Sequence, residues 1–92
     1  MAAAYVISYD LRKARSYDTL IKQLRDWGCV SPLESLWFGY LNGPAAAIRD
    51  GLMKHIDADD GLVVIEVKPT SDWAIFKANE SFADWLRKYV GP

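Results

Sequence analysis

The chain has 92 residues, 51% apolar and 25% charged, with 11 basic against 12 acidic side chains and a formal net charge of -1. At the usual ~100–200 residues per domain this is one domain, and its apolar content excludes a disordered chain, as its single cysteine, Cys29, excludes a disulfide scaffold. No apolar run approaches the ~18 residues of a membrane span, and the opening MAAAYVISYD lacks the basic start of a secretory signal, so a cytoplasmic protein is expected.

Taken in chain order, Tyr5–Tyr9 reads YVISY, β-branched and aromatic, and predicts a strand that ends at Asp10. LRKARS at 11–16 is a basic connection, with Ser16 as a candidate N-cap for the helix that follows. Tyr17, Leu20, Ile21, Leu24 and Trp27 recur at spacings of three and four, which makes one apolar stripe on a helix. Gly28 suits the left-handed position that closes it. Leu33–Leu41 reads LESLWFGYL, without helical periodicity, and predicts one strand bent at Gly39, entered past Pro32.

Asn42-Gly43-Pro44 is a turn that sets Pro44 at the first position of a second helix. Ala45, Ile48, Leu52 and Ile56 form its inner face, and Arg49, Asp50, Lys54 and Asp57 its outer face. LVVIEV at 62–67 is nearly continuous in apolar residues, the pattern of a central strand or one covered on both faces. Trp73–Phe76 is expected as a short further strand. Asn79 is a candidate cap for a last helix carrying Phe82, Trp85, Leu86, Tyr89 and Val90.

The order β-α-β-α-β, with a tail of a short strand and a helix, predicts an α+β fold: a ferredoxin-like sheet with helices on one face. Residues 1–92 form a single domain, and 69–92 are a tail that packs on the sheet or on a partner protomer. Four Trp, five Tyr and three Phe are more aromatic surface than a core this small hides easily. Together with the bare second sheet face, this makes a homodimer the expected state.

Asp10, placed at a strand end and followed by Arg12, Lys13 and Arg15, has the residue types for holding Mg²⁺ beside a phosphate. Two copies meeting across a dimer would supply the one or two carboxylates that hydrated Mg²⁺ takes. On residue types alone the favoured reading of Asp10 is a strand end that accepts a local backbone amide and pairs with Arg12 at the surface. Asp57, Asp59 and Asp60 do not make a calcium loop, because position five would be Gly61 and position twelve Lys68; they read as the turn that ends a helix. His55, the only histidine, reads as a helix-end residue, and Cys29 as a small buried hydrophobe. There is no phosphate loop or dinucleotide fingerprint. The charge balance is not that of a protein that wraps nucleic acid, and Arg12, Lys13 and Arg15 are its one dense basic patch.

YVISYDL at 5–11, the helix ending in Trp27-Gly28, ESLWFGYL at 34–41 and the Asp-Asp-Gly turn leading into LVVIEV at 59–67 together resemble CRISPR-associated protein two, the small dimeric partner of the CRISPR integrase. They are closer still to its stand-alone SinR-like relatives, and more distantly similar to virulence-associated protein D. The resemblance covers residues 4–68. It implies a ferredoxin-like fold, a homodimer joined through the sheets and, for some members, Mg²⁺-dependent cleavage of RNA or DNA in antiviral defence. It carries the metal-binding aspartate onto Asp10, a phosphate-steadying basic residue onto Arg12 (less surely Lys13 or Arg15), and a second-strand serine onto Ser35. The slightly acidic charge and the extra helix after Trp73 depart from the family's nucleases. A non-catalytic dimeric scaffold, or a nucleic-acid- or protein-binding module of the same fold, is therefore the alternative.

Overall fold

The computed structural model describes residues 2–11 and 17–91. Within them lie β1 (Ala2–Asp10), α1 (Asp18–Asp26), β2 (Val30–Leu33), β3 (Leu36–Asn42), α2 (Ala45–Met53), β4 (Gly61–Val67) and α3 (Glu80–Tyr89). The strands form one antiparallel sheet in the order β2-β3-β1-β4. This is a ferredoxin-like α+β arrangement in which each α1 or α2 crossover skips one strand.

Strand alternation divides the residues of β1 between two cores. Tyr5 and Ile7 point to one side and pack with Leu20 and Leu24 of α1, Ile48 and Leu52 of α2, Trp37 and Cys29. Ile7, Leu20, Leu24 and Leu52 are the largest side chains fully withdrawn from solvent; each such aliphatic contributes on the order of 1.5–3 kcal/mol. On this side Trp37 Nε1 donates to Tyr9 Oη at 3.1 Å, so its one polar atom is satisfied. Ala4, one residue from Tyr5, faces the other side and meets Phe82, Leu86 and Val90, on and just beyond α3.

Local chemistry sets the element ends. The Gly28 amide donates to the Arg25 carbonyl and the Cys29 amide to that of Leu24, with Gly28 at φ 76°. These are the two bonds of a Schellman close, at a position where a Cβ would be strained. Asn79 caps α3, its side-chain oxygen accepting from the Ser81 amide at 3.1 Å. The Ser16 cap expected for α1 lies outside the described residues; Tyr17 stands at the N-cap position with no side-chain capping bond.

Five expectations are corrected. Leu33–Leu41 is not one strand: Ser35 takes a left-handed φ of 62° between β2 and β3 and turns the chain into a hairpin. The Ser31 hydroxyl spans that turn, 2.7 Å from the Leu33 carbonyl oxygen and 2.9 Å from that of Leu36. Gly39 does not bend β3 but sits opposite Tyr5 in regular register, where a Cβ would come within 2.6 Å of Cys29 Sγ. Trp73–Phe76 forms no strand; Trp73 instead donates from Nε1 to the Gly91 carbonyl at 2.8 Å and pins the β4–α3 connection to the end of α3. Pro44 is the N-cap of α2 rather than its first helical residue, a shift that costs nothing because it leaves no helical amide unmade.

The run 62–67 is the remaining correction. β4 is an edge strand, and its outer-face residues Val63 and Ile65 are 53% and 54% exposed. Leu62 and Val64, on its other face, pack against the α1/α2 core. A strand apolar throughout but for Glu66 carries too little alternation from which an uncovered face could be read.

Candidate functional site

The second sheet face is covered over only part of its area. α3 lies toward β2 and β3, where Phe38 meets Phe82 at 4.7 Å and Trp85 at 5.8 Å between ring centroids, and Tyr40 stacks on Tyr89 at 4.5 Å. Part of the aromatic surplus of the composition is thus taken up within one chain, while Phe76 stays 83% exposed. Beyond α3 a strip of the sheet stays open. Cross-strand pairing aligns Val6 with Ile65, Ser8 with Val63 and Asp10 with Gly61, and alternation puts the Val6, Ser8 and Asp10 side chains on the uncovered face. Ser8 and Asp10 are exposed.

Asp10 therefore stands at the end of an apolar strip, at the last position of β1. Its cross-strand neighbour Gly61 has no side chain to wall in the carboxylate. Ser35 comes to the same end of the sheet: Leu36 pairs with Ser8, so the turn just before Leu36 lies beside the end of β1. It sits in that turn and not on the second strand, where the resemblance places its serine. Arg12, Lys13 and Arg15 lie outside the described residues. The structure thus brings Asp10 and Ser35 to one edge of the molecule.

Among the described residues no group of three or more His, Cys, Asp or Glu side chains could hold a metal ion. Asp10 alone is a hard oxygen donor of the kind Mg²⁺ accepts singly or in pairs with several waters. One chain supplies one such carboxylate, and a second copy would supply another. Among the described residues, clefts lie elsewhere. One of about 510 Å³ lies between β2 and the start of α3, lined by Val30, Trp37, Phe82 and Trp85 among others. Another of about 490 Å³ lies beside Tyr5, Tyr40 and Tyr89. Asp10 sits on open surface, which suits an extended partner better than a small ligand that needs enclosure.

The other sequence candidates have structural work. Asp60 Oδ2 accepts from the Tyr17 hydroxyl at 2.9 Å and from the Asp57 amide at 2.9 Å, so this carboxylate ties the turn before β4 to the start of α1. Cys29 is buried, and burial pushes its thiol up to about 11, which keeps it protonated and unreactive near neutral pH. His55 follows the last turn of α2, its amide bonded to the Leu52 carbonyl at 3.0 Å. Sequence reading missed the exposed pair Val63 and Ile65; only Gly61, a small residue opposite Asp10, hinted that this corner is open. No family model, no curated protein and no solved structure matches this chain.

Proposed function

We propose that the open sheet face is a working surface on which two copies of the chain stack, bringing their Asp10 carboxylates together to act on a nucleic-acid phosphodiester. The observation that supports this reading is the placement of an exposed carboxylate at the end of an apolar strip that includes Val63 at 53% and Ile65 at 54% exposure. Such a strip is stabilised by covering, and a two-fold contact over it doubles whatever Asp10 carries.

In this reading the paired Asp10 carboxylates would hold Mg²⁺, which supplies Lewis-acid charge and a more acidic bound water when present. The Ser35 hydroxyl, at the same sheet end, would donate a hydrogen bond to a phosphate oxygen. Arg12, two residues after Asp10 in sequence, would offset the negative charge that grows on phosphorus-bound oxygens as water adds and the ester oxygen leaves. RNA and DNA are both substrates of this chemistry, and a CRISPR integrase is the partner that the resemblance adds.

A specific observation supports a second reading. With no three-ligand cluster among the described residues and a net charge of -1, the same dimer would serve as a non-catalytic scaffold that holds nucleic acid or protein. One experiment separates the two. Labelled RNA and double-stranded DNA are incubated with Mg²⁺ and either wild type or Asp10→Asn. Cutting by wild type, lost in the variant and in chelator, supports the hydrolase. Salt-sensitive binding without cutting supports the scaffold. Equal cutting by both proteins removes Asp10 from the site, and the absence of both cutting and binding overturns the proposal.

A further inference from the structure

The two edges of the sheet are finished differently. β2 has four residues, contains Pro32, and pairs with β3 through a register irregularity. These are devices that keep an edge from pairing with another chain. β4 has seven residues, no proline, and an unbroken register with β1 from Gly61 to Val67. Among the described strands nothing lies beyond it, so its outer backbone groups have no ladder partner in the sheet. Its outer-face side chains Val63 and Ile65 are half exposed. A long, regular edge, apolar except for Glu66, is a template for strand addition.

We propose that the β4 edge pairs antiparallel with the β4 edge of a second copy, about a two-fold axis through Val64, to make one continuous eight-stranded sheet. Charge selects both the occupant and the register. The strand is preceded by the acidic turn of Asp57, Asp59 and Asp60 and followed by Lys68, so an antiparallel copy of itself sets opposite charges against each other at both ends. Centred on Val64, the pairing places Asp60, whose Oδ2 also accepts from Tyr17 and the Asp57 amide, opposite Lys68 of the second copy, which within its own chain lies 3.2 Å from Glu66; it sets Val63 opposite Ile65 and Leu62 opposite Glu66. Moving the centre to Val63 puts Asp60 against Glu66, a like-charge pair. Moving it to Ile65 takes Lys68 away from Asp60 and sets it against Leu62. Only the Val64 register combines β-branched cross-strand pairs with matched ends. The contact is isologous and closes at two copies. It uses the edge and not the open face, so it is independent of the Asp10 reading and compatible with it.

The test reads which residues meet. In the Val64 register the two Val64 Cα atoms lie about 4.5–5.5 Å apart, within the span a disulfide bridges. Val64 lies on the helix-covered side of the sheet, where copies stacked through their open faces cannot touch. Under mild oxidation Val64→Cys is expected to run mainly at twice the 10.4 kDa chain mass on a non-reducing gel, while Val63→Cys runs mainly as monomer; buried Cys29 stays out of both reactions. Lys68→Glu, at an exposed position, is expected to lower the yield of the Val64→Cys crosslink, a readout that copies stacked through their open faces do not supply. Folded Val64→Cys that stays monomeric overturns the edge pairing, as does crosslinking through Val63→Cys alone. If Val64→Cys does not fold, amide exchange of the wild-type chain decides: protection of β4 that rises with protein concentration supports the pairing, and protection independent of concentration ends it.

Discussion

On one face of the sheet, Tyr5, Ile7 and Trp37 lie beneath two helices in a core with little exposed surface. On the other, Ala4 and Phe38 lie beneath the single helix α3, while Val63 and Ile65 meet solvent. The strands are shared, so the difference lies in what crosses them. α1 and α2 each connect strands of the sheet, and crossovers of one hand place both helices on the same face. α3 follows the last strand and is held by an aromatic cluster and by the tie from Trp73 to Gly91. The first face is an obligatory product of the topology. The second is an addition that leaves room for a partner, and the candidate site lies in that room.

The comparison is broken or sharpened by substitutions on the two sides. Ile7→Ala, at a fully buried position of a strand paired on both edges, is expected to cost about 4 kcal/mol through lost transfer energy and a cavity, read from the urea midpoint. Phe82→Ala removes a centre of the α3 cluster and is expected to cost about 3 kcal/mol; because the α1/α2 core is left intact, dye binding to newly exposed apolar surface should rise before global unfolding. A loss of all tertiary signal in one step, equal to that of Ile7→Ala, would show that the two faces are a single cooperative unit. Gly28→Ala meets nothing within 4 Å but must adopt φ 76°, so its expected cost is the conformational ~1 kcal/mol alone. Val63→Thr, on the open strip, should stay within about 0.5 kcal/mol at high dilution. A cost that grows with protein concentration would show that another copy covers Val63.

The helices were the most legible elements. The three-four spacing of Leu20 and Leu24, of Ile48 and Leu52, and of Phe82 and Leu86 names the side chains found buried, because a helix repeats its face every 3.6 residues whatever it packs on. Gly28 and Asn79 marked ends for equally local reasons: a left-handed φ and a side-chain oxygen within reach of the first-turn amides. The hairpin between β2 and β3 was hidden because Ser35 is a non-glycine residue in a left-handed turn, a geometry that residue type does not announce. Of the candidate site, Asp10 could be seen at a strand end, and its register opposite Gly61 could not.

The sequence by itself determined which segments are helical, which side chains they bury, and that a strand ends at Asp10, since these follow from periodicity and from groups a few bonds apart. Tertiary structure decided that the LVVIEV run is an edge strand rather than a central one, that α3 covers only part of the second face, and that Ser35 and Asp10 share one end of the sheet. Those facts depend on strand order and register between residues far apart in the chain, and such pairing is fixed by the collective burial of both faces and not by any local run of residues.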